Sequence, residues 1–323
     1  MKRRASNMFG VLKKFFLFSG KENGRKFKRS IVISLIDALA SALKIPAIMC
    51  VLMGVIEGKD LGKYILGSIA IMAVSIVVGI LCKMSSTVLQ TEGGYTTAAF
   101  KRIEMAEHLR YVPMGYFNSN SIGEIASVTT NTMENLGDVA TRVVMLTTQG
   151  LLETSMIILM ILLCDWRIAL VSFAGVAIFL VINTVMQNAG KQASSAKIDC
   201  DTELINQIME YIQGISEVKS YNLIGKQTKR LNAANEACVR ANVKMELAYV
   251  PYHFLQSVVT KLTGAAIIGL SAYFYINGSM SVLYAVGMSI AAFMLYGGLE
   301  TMGTFSSLIH VVSVCVDLSL IHI

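Results

Sequence analysis

Six runs of mostly apolar residues, each long enough to cross a bilayer as a helix, dominate this chain of 323 residues. A spanning helix needs roughly 20 such residues. The runs cover Ile31–Ile56, Tyr64–Cys82, Val143–Cys164, Ile168–Met186, Val250–Tyr275 and Val282–His310. Only 15% of the residues are charged, whereas a soluble domain carries about 25%, so a soluble fold is excluded. With three prolines and 54% hydrophobic residues, disordered, collagen-like and disulfide-scaffold classes are excluded as well. An all-α integral membrane fold is expected.

The spacing of the runs sets the topology. Runs one and two, three and four, and five and six are joined by short turns around 57–63, 165–167 and 277–281, while 83–142 and 187–249 are long excursions on one face. Ten Lys and Arg residues against Glu22 alone precede the first run. Their position makes them a cytoplasmic flank rather than a nucleic-acid patch, and puts the N-terminus and both excursions inside. Apolar residues recur at helical period through Ile122, Ile125, Thr129, Met133 and Leu136, and again through Ile205, Ile208, Met209, Ile212, Ile215 and Val218. The membrane helices therefore continue as long cytoplasmic extensions. Met8, Val11, Leu12, Phe15 and Phe16 form one apolar face ahead of the first run, which suits an interfacial elbow helix. The six cysteines include no C-x-x-C pair and read as buried, inert thiols.

Two segments carry a family resemblance. His108 to Leu136, H-L-R-Y-V-P-M-G-Y-F-N-S-N-S-I-G-E-I-A-S-V-T-T-N-T-M-E-N-L, resembles the first intracellular loop of the ATP-binding-cassette (ABC) exporter transmembrane domain. Glu203 to Asn222, with its Glu-x-x-x-Gly-Ile-x-x-Val-Lys core, resembles that family's second loop. The resemblance implies two coupling-helix tips that dock into nucleotide-binding domains. Pro113, Tyr116, Phe117, Gly123 and Glu124 would belong to the first tip, and Glu210, Gly214 and Ile215 to the second. Pro113 disfavours helix at Val112, and Gly115 and Gly123 permit turns, so a short transverse helix is expected at the first tip.

The resemblance also implies what the chain lacks. It contains no G-x-x-x-x-G-K-[ST] phosphate loop and no Leu-Ser-Gly-Gly signature, so ATP and Mg2+ are expected only through a nucleotide-binding domain outside it. The expected organisation is a cytoplasmic N-terminus with the elbow helix at 1–30, a six-helix domain at 31–317, and a tail at 318–323 that is a candidate for non-native sequence in a truncated reading frame. The implied function is ATP-driven, alternating-access movement of an unidentified substrate across the plasma membrane. A nucleotide-binding domain, a second half-transporter (the same chain or another) and lipid are the implied partners, with no nucleic acid. A six-span channel or a non-ATP-driven transporter is the alternative; a channel would need an arginine ladder in the fourth span or a carbonyl filter between the last two, and neither is present.

Other chemistry is sparse. His108, His253, His310 and His322 have no metal-ligand spacing, and the 19 methionines suit adaptable packing. Gly93-Gly94 and Gly297-Gly298 mark close helix crossings. Counted from the turn at Gly278, Lys261 and Glu300 fall within about 8 Å of each other in depth. They are expected to meet, and are candidates for lining a substrate cavity. The same cost of burying charge in lipid predicts that Asp37 and Lys44, seven residues apart, pair along one helix side.

Overall fold

The computed structural model describes residues 8–58, 61–117, 125–126, 128–221, 224–306 and 316. Those residues are helical almost throughout: α1 (Met8–Phe18), α2 (Gly20–Ala42), α3 (Lys44–Glu57), α4 (Leu61–Leu109), α5 (Thr141–Cys164), α6 (Trp166–Gln213), α7 (Ile215–Ser220), α8 (Ile224–Ile276), α9 (Val282–Leu295) and α10 (Gly297–Ser306). Six stretches among them are long and apolar enough to cross a membrane: Gly20–Ile56, Leu61–Leu109, Leu136–Cys164, Trp166–Gly190, Lys229–Ile276 and Val282–Phe305. Lipid offers no hydrogen bonds, so each span must satisfy its own backbone, and a helix does.

Two spans are broken where the sequence reads as continuous. The first divides at Leu43, whose N–H is shared between the Leu39 and Ala40 carbonyls, each at 3.2 Å. Pro46 follows, lacking the N–H that Ala42 O would accept, and it is tolerated because it falls in the first turn of α3. The sixth divides at Tyr296, ahead of Gly297-Gly298. By contrast α8 runs through Pro251 without interruption.

The chain forms two compact units, residues 1–181 with 256–323, and residues 182–255. In the first, the face of α4 turned to α2 and α3 is small and polar. Ser86 Oγ lies 2.8 Å from both Ser30 Oγ and Ser34 Oγ and accepts from Gln90 Nε2 at 3.0 Å. Ser75 donates to Ala40 O at 2.6 Å and Ser68 to Ala47 O at 2.7 Å. Large apolar side chains of α4 such as Leu66, Ile69, Val77 and Leu81 point outward instead. This inversion is how helices associate in lipid, where tails solvate leucine as well as a neighbouring helix would. Ser86→Ala should therefore lower stability by roughly 1 kcal/mol, between a single intramembrane hydrogen bond and a stranded buried polar group. Thermal unfolding in detergent would measure it.

Close backbone crossings complete this unit. A Cβ on Gly94 would collide with Thr141 Oγ1 and reach Gly137 O at 2.6 Å; one on Gly150 would collide with the Gly298 carbonyl oxygen. Gly93, Gly94 and Gly298 thus sit at crossings as their sequence suggests, whereas Gly297 faces open space. The N-terminal helix α1 turns back through Gly20, at φ 77°, and buries Phe15 and Phe18; Phe15 and Phe16 pack edge-on against Phe27 of α2 at 5.5 and 5.8 Å. Met8, Val11 and Leu12 have side chains outside the described set. Of the cysteines, Cys238 alone among the described residues is buried; Cys50, Cys82, Cys164 and Cys200 are half-buried, because their helices bury only a narrow seam.

The second unit packs the later part of α6 against the early part of α8 through Met186, Met245 and Tyr249, with the Tyr249 ring lying directly on Gly190. A polar cluster adds to it: Lys197 Nζ donates to Asn242 Oδ1 at 2.5 Å and Cys238 Sγ to Asp201 Oδ1 at 2.8 Å.

Candidate functional site

The first candidate tip is built by a helix that tightens as it ends. Arg110, Tyr111 and Val112 donate to carbonyls three residues back, at 3.0 to 3.3 Å, so the last turn of α4 narrows. Pro113 then sits extended at φ −58° and ψ 143°, and Met114–Tyr116 form one 3-10 turn closed by Tyr116 N to Pro113 O at 3.0 Å. Within the described residues the expected transverse helix is represented by this turn, which the extended Pro113 separates from α4; residues 118–124 lie outside the described set. Tyr116 and Phe117 stack edge to face at 6.1 Å. Tyr111 and Met114 are 82% and 83% exposed, well beyond the 42% of Tyr116. Sequence reasoning passed over these two; large apolar side chains flanking Pro113 were the available signal. Gly123 and Glu124 lie outside the described residues.

Behind this tip, Ala98, Met105, Val128 and Met133 form a small buried cluster. Arg102 Nε donates to Thr129 O at 2.9 Å, in a wide π-helical turn at Val128–Thr132.

The second candidate tip is continuous in its hydrogen bonding. Gly214 N donates to Glu210 O and Val218 N to Gly214 O, both at 3.0 Å, while Gly214 itself leaves helical geometry at φ −89° and ψ 11°. A slight bend thus separates α6 from α7. Ile215 is half-buried and Val218 is buried, whereas Ile208, Met209 and Ile212 are exposed. Glu210 Oε1 lies 3.6 Å from Arg230 Nη1, both side chains being more than half exposed. Exposed pairs contribute about 0–1 kcal/mol. Glu210→Gln should leave thermal stability unchanged within that range, which thermal unfolding in detergent would measure.

Lys261 and Glu300 do meet. Lys261 Nζ is 3.4 Å from Glu300 Oε1, and Thr260 Oγ1 donates to the same oxygen at 2.7 Å. They line a cavity of about 250 Å³ with Gly264, Phe293, Tyr296 and Gly297. The Lys261 side chain is 78% exposed, Glu300 35%. Asp37 and Lys44 do not form the expected ion pair: no ammonium lies within 4.0 Å of the Asp37 carboxylate among the described residues. The break at Leu43 falls between them and removes the common helix face that the expectation assumed.

Comparison with family models brings these features under one description. A model of the ABC transporter transmembrane region matches residues 30–298. The chain belongs to this family. It is an ABC-type transporter domain and a multi-pass membrane protein, with the six helices of such a domain. Curated proteins gave no match. Domains of this family pair with a nucleotide-binding domain, and the present sequence offers no phosphate loop of its own.

Proposed function

We propose that this domain is the membrane half of an ATP-driven exporter, moving its cargo by alternating access in the plasma membrane with the N-terminus in the cytoplasm. An ATP-hydrolysing domain, on the same or a separate chain, supplies the drive. Two such assemblies form the working dimer. The observation that carries the reading is the first tip: a long helix extends well past the length a bilayer needs, and just beyond its end Tyr111 and Met114 are large side chains left more than four-fifths exposed. At 1.5 Å per residue the 49 residues of α4 reach about 73 Å, against a hydrocarbon core of about 30 Å. Apolar surface held that far from lipid needs a protein partner.

The tagged transporter purified from its native cells and reconstituted into liposomes is expected to hydrolyse ATP. A folded preparation that hydrolyses none above a mock purification would overturn the reading. Glu300→Gln should shift substrate-stimulated ATP hydrolysis without preventing assembly, because Glu300 borders a cavity while Thr260 can still donate to an amide oxygen. Labelling of position 300 from the lipid phase, with stimulation unchanged, would remove it from the cargo path.

A further inference from the structure

A cavity of about 390 Å³ lies in the first unit, bordered by Asp37 of α2, Lys44 of α3, Lys83 of α4, Gln149 and Glu153 of α5 and Met294 of α9. All six belong to membrane-spanning stretches. Counted from the short turns at 1.5 Å per residue, Glu153, Lys44 and Gln149 lie about 18 to 24 Å deep and Asp37 and Lys83 about 32 Å. The cavity thus extends from the middle of the bilayer to one boundary.

Charges at that depth need partners. Intramembrane charges can close on one another at ion-pair distance, as Lys261 and Glu300 do at 3.4 Å. Here they stay apart. Lys83 and Lys44 border the same cavity as the Asp37 carboxylate, yet neither ammonium is within ion-pair distance of it among the described residues. Asp37, only 6% exposed, receives one long hydrogen bond, from Gln149 Nε2 at 3.5 Å. The same nitrogen donates to Glu153 Oε1 at 3.1 Å. Two carboxylates from different spans therefore share one neutral donor, and two ammonium groups border the same open space.

We propose that this cavity binds a small zwitterion, a cargo carrying an ammonium and an anionic group on an apolar body. The ammonium sits between Asp37 and Glu153, with Gln149 positioning the two carboxylates. The anionic group answers Lys44 and Lys83, and Met294 with neighbouring isoleucines takes the apolar body. The inference rests on the transport reading above and names the chemical class of what is moved.

Three probes sharing one body test it on the reconstituted transporter: the dipeptide leucyl-phenylalanine, its N-acetyl form, which lacks the cation, and its amide, which lacks the anion. The dipeptide is expected to bind at least tenfold more tightly than either derivative. Glu153→Gln should bring it down to the level of the N-acetyl form, and Lys83→Gln to that of the amide. Lys83 is exposed, so its variant guards against misfolding as the cause. Equal affinities for the three probes, no measurable binding of any, or a preference unchanged in both variants would overturn the assignment. ATP hydrolysis by the same preparation separates the two readings. Hydrolysis without discrimination sinks the zwitterion alone, and discrimination without hydrolysis sinks the ATP-driven reading alone.

Discussion

Gly150→Ala should destabilise the transporter domain by about 3 kcal/mol or more, the upper end of what overpacking costs, while Gly297→Ala should leave it unchanged or slightly more stable. The two substitutions add the same methyl group to glycines of the membrane bundle. At Gly150 that methyl would overlap the Gly298 carbonyl oxygen and stand 3.2 Å from Met302 Cβ, with Leu295, Leu299 and Met302 of the partner helices fully buried around it. Backbone on both sides of the contact leaves no flexible side chain to move aside. At Gly297 nothing lies within 4 Å of the new methyl, and alanine removes glycine's entropic penalty in a helix, about 0.5–1 kcal/mol. Thermal unfolding of the two variants in detergent makes the comparison. Equal behaviour would mean that α5 and α10 do not cross as described.

Replacing Phe117 and Met114 together by alanine should leave accumulation and melting temperature near the starting values and uncouple ATP hydrolysis from transport. Met114 is 83% exposed and Phe117 only half-buried at the end of its turn, so truncating them opens no cavity in either packed unit. In a docked tip the same side chains become anchors. Interface hot spots of this kind cost 2 kcal/mol or more when truncated, which corresponds to about a 30-fold weaker association. Transport in proteoliposomes and ATP hydrolysis measured side by side read the effect. Transport at the starting level with the ATPase domain bound would remove this tip from the coupling path.

The sequence by itself determined the six spans, their three tight turns and their two long helical excursions, because a run of apolar residues of bilayer length has only one way to satisfy its backbone in lipid. It also marked the ends of the excursions: Pro113 and Gly214 are local effects on φ and ψ that act whatever surrounds them. Gly94 and Gly298 were legible as crossings for a similar reason, since only glycine admits another backbone so closely.

Only the tertiary structure decided which face of each helix is packed. In water the apolar face is buried and hydrophobic periodicity reveals it; in lipid that signal vanishes, and the seam of α4 against α2 and α3 is Ser68, Ser75, Ser86 and Gln90, polar residues that carry no weight in an apolar count. For the same reason the intramembrane charges were half legible. Depth along a helix follows from counting, and it brought Lys261 to Glu300 correctly. Azimuth around the axis does not. The break at Leu43 left Asp37 and Lys44 unpaired across an open cavity, and the Gln149 amide of a span 112 residues away joined Asp37 to Glu153.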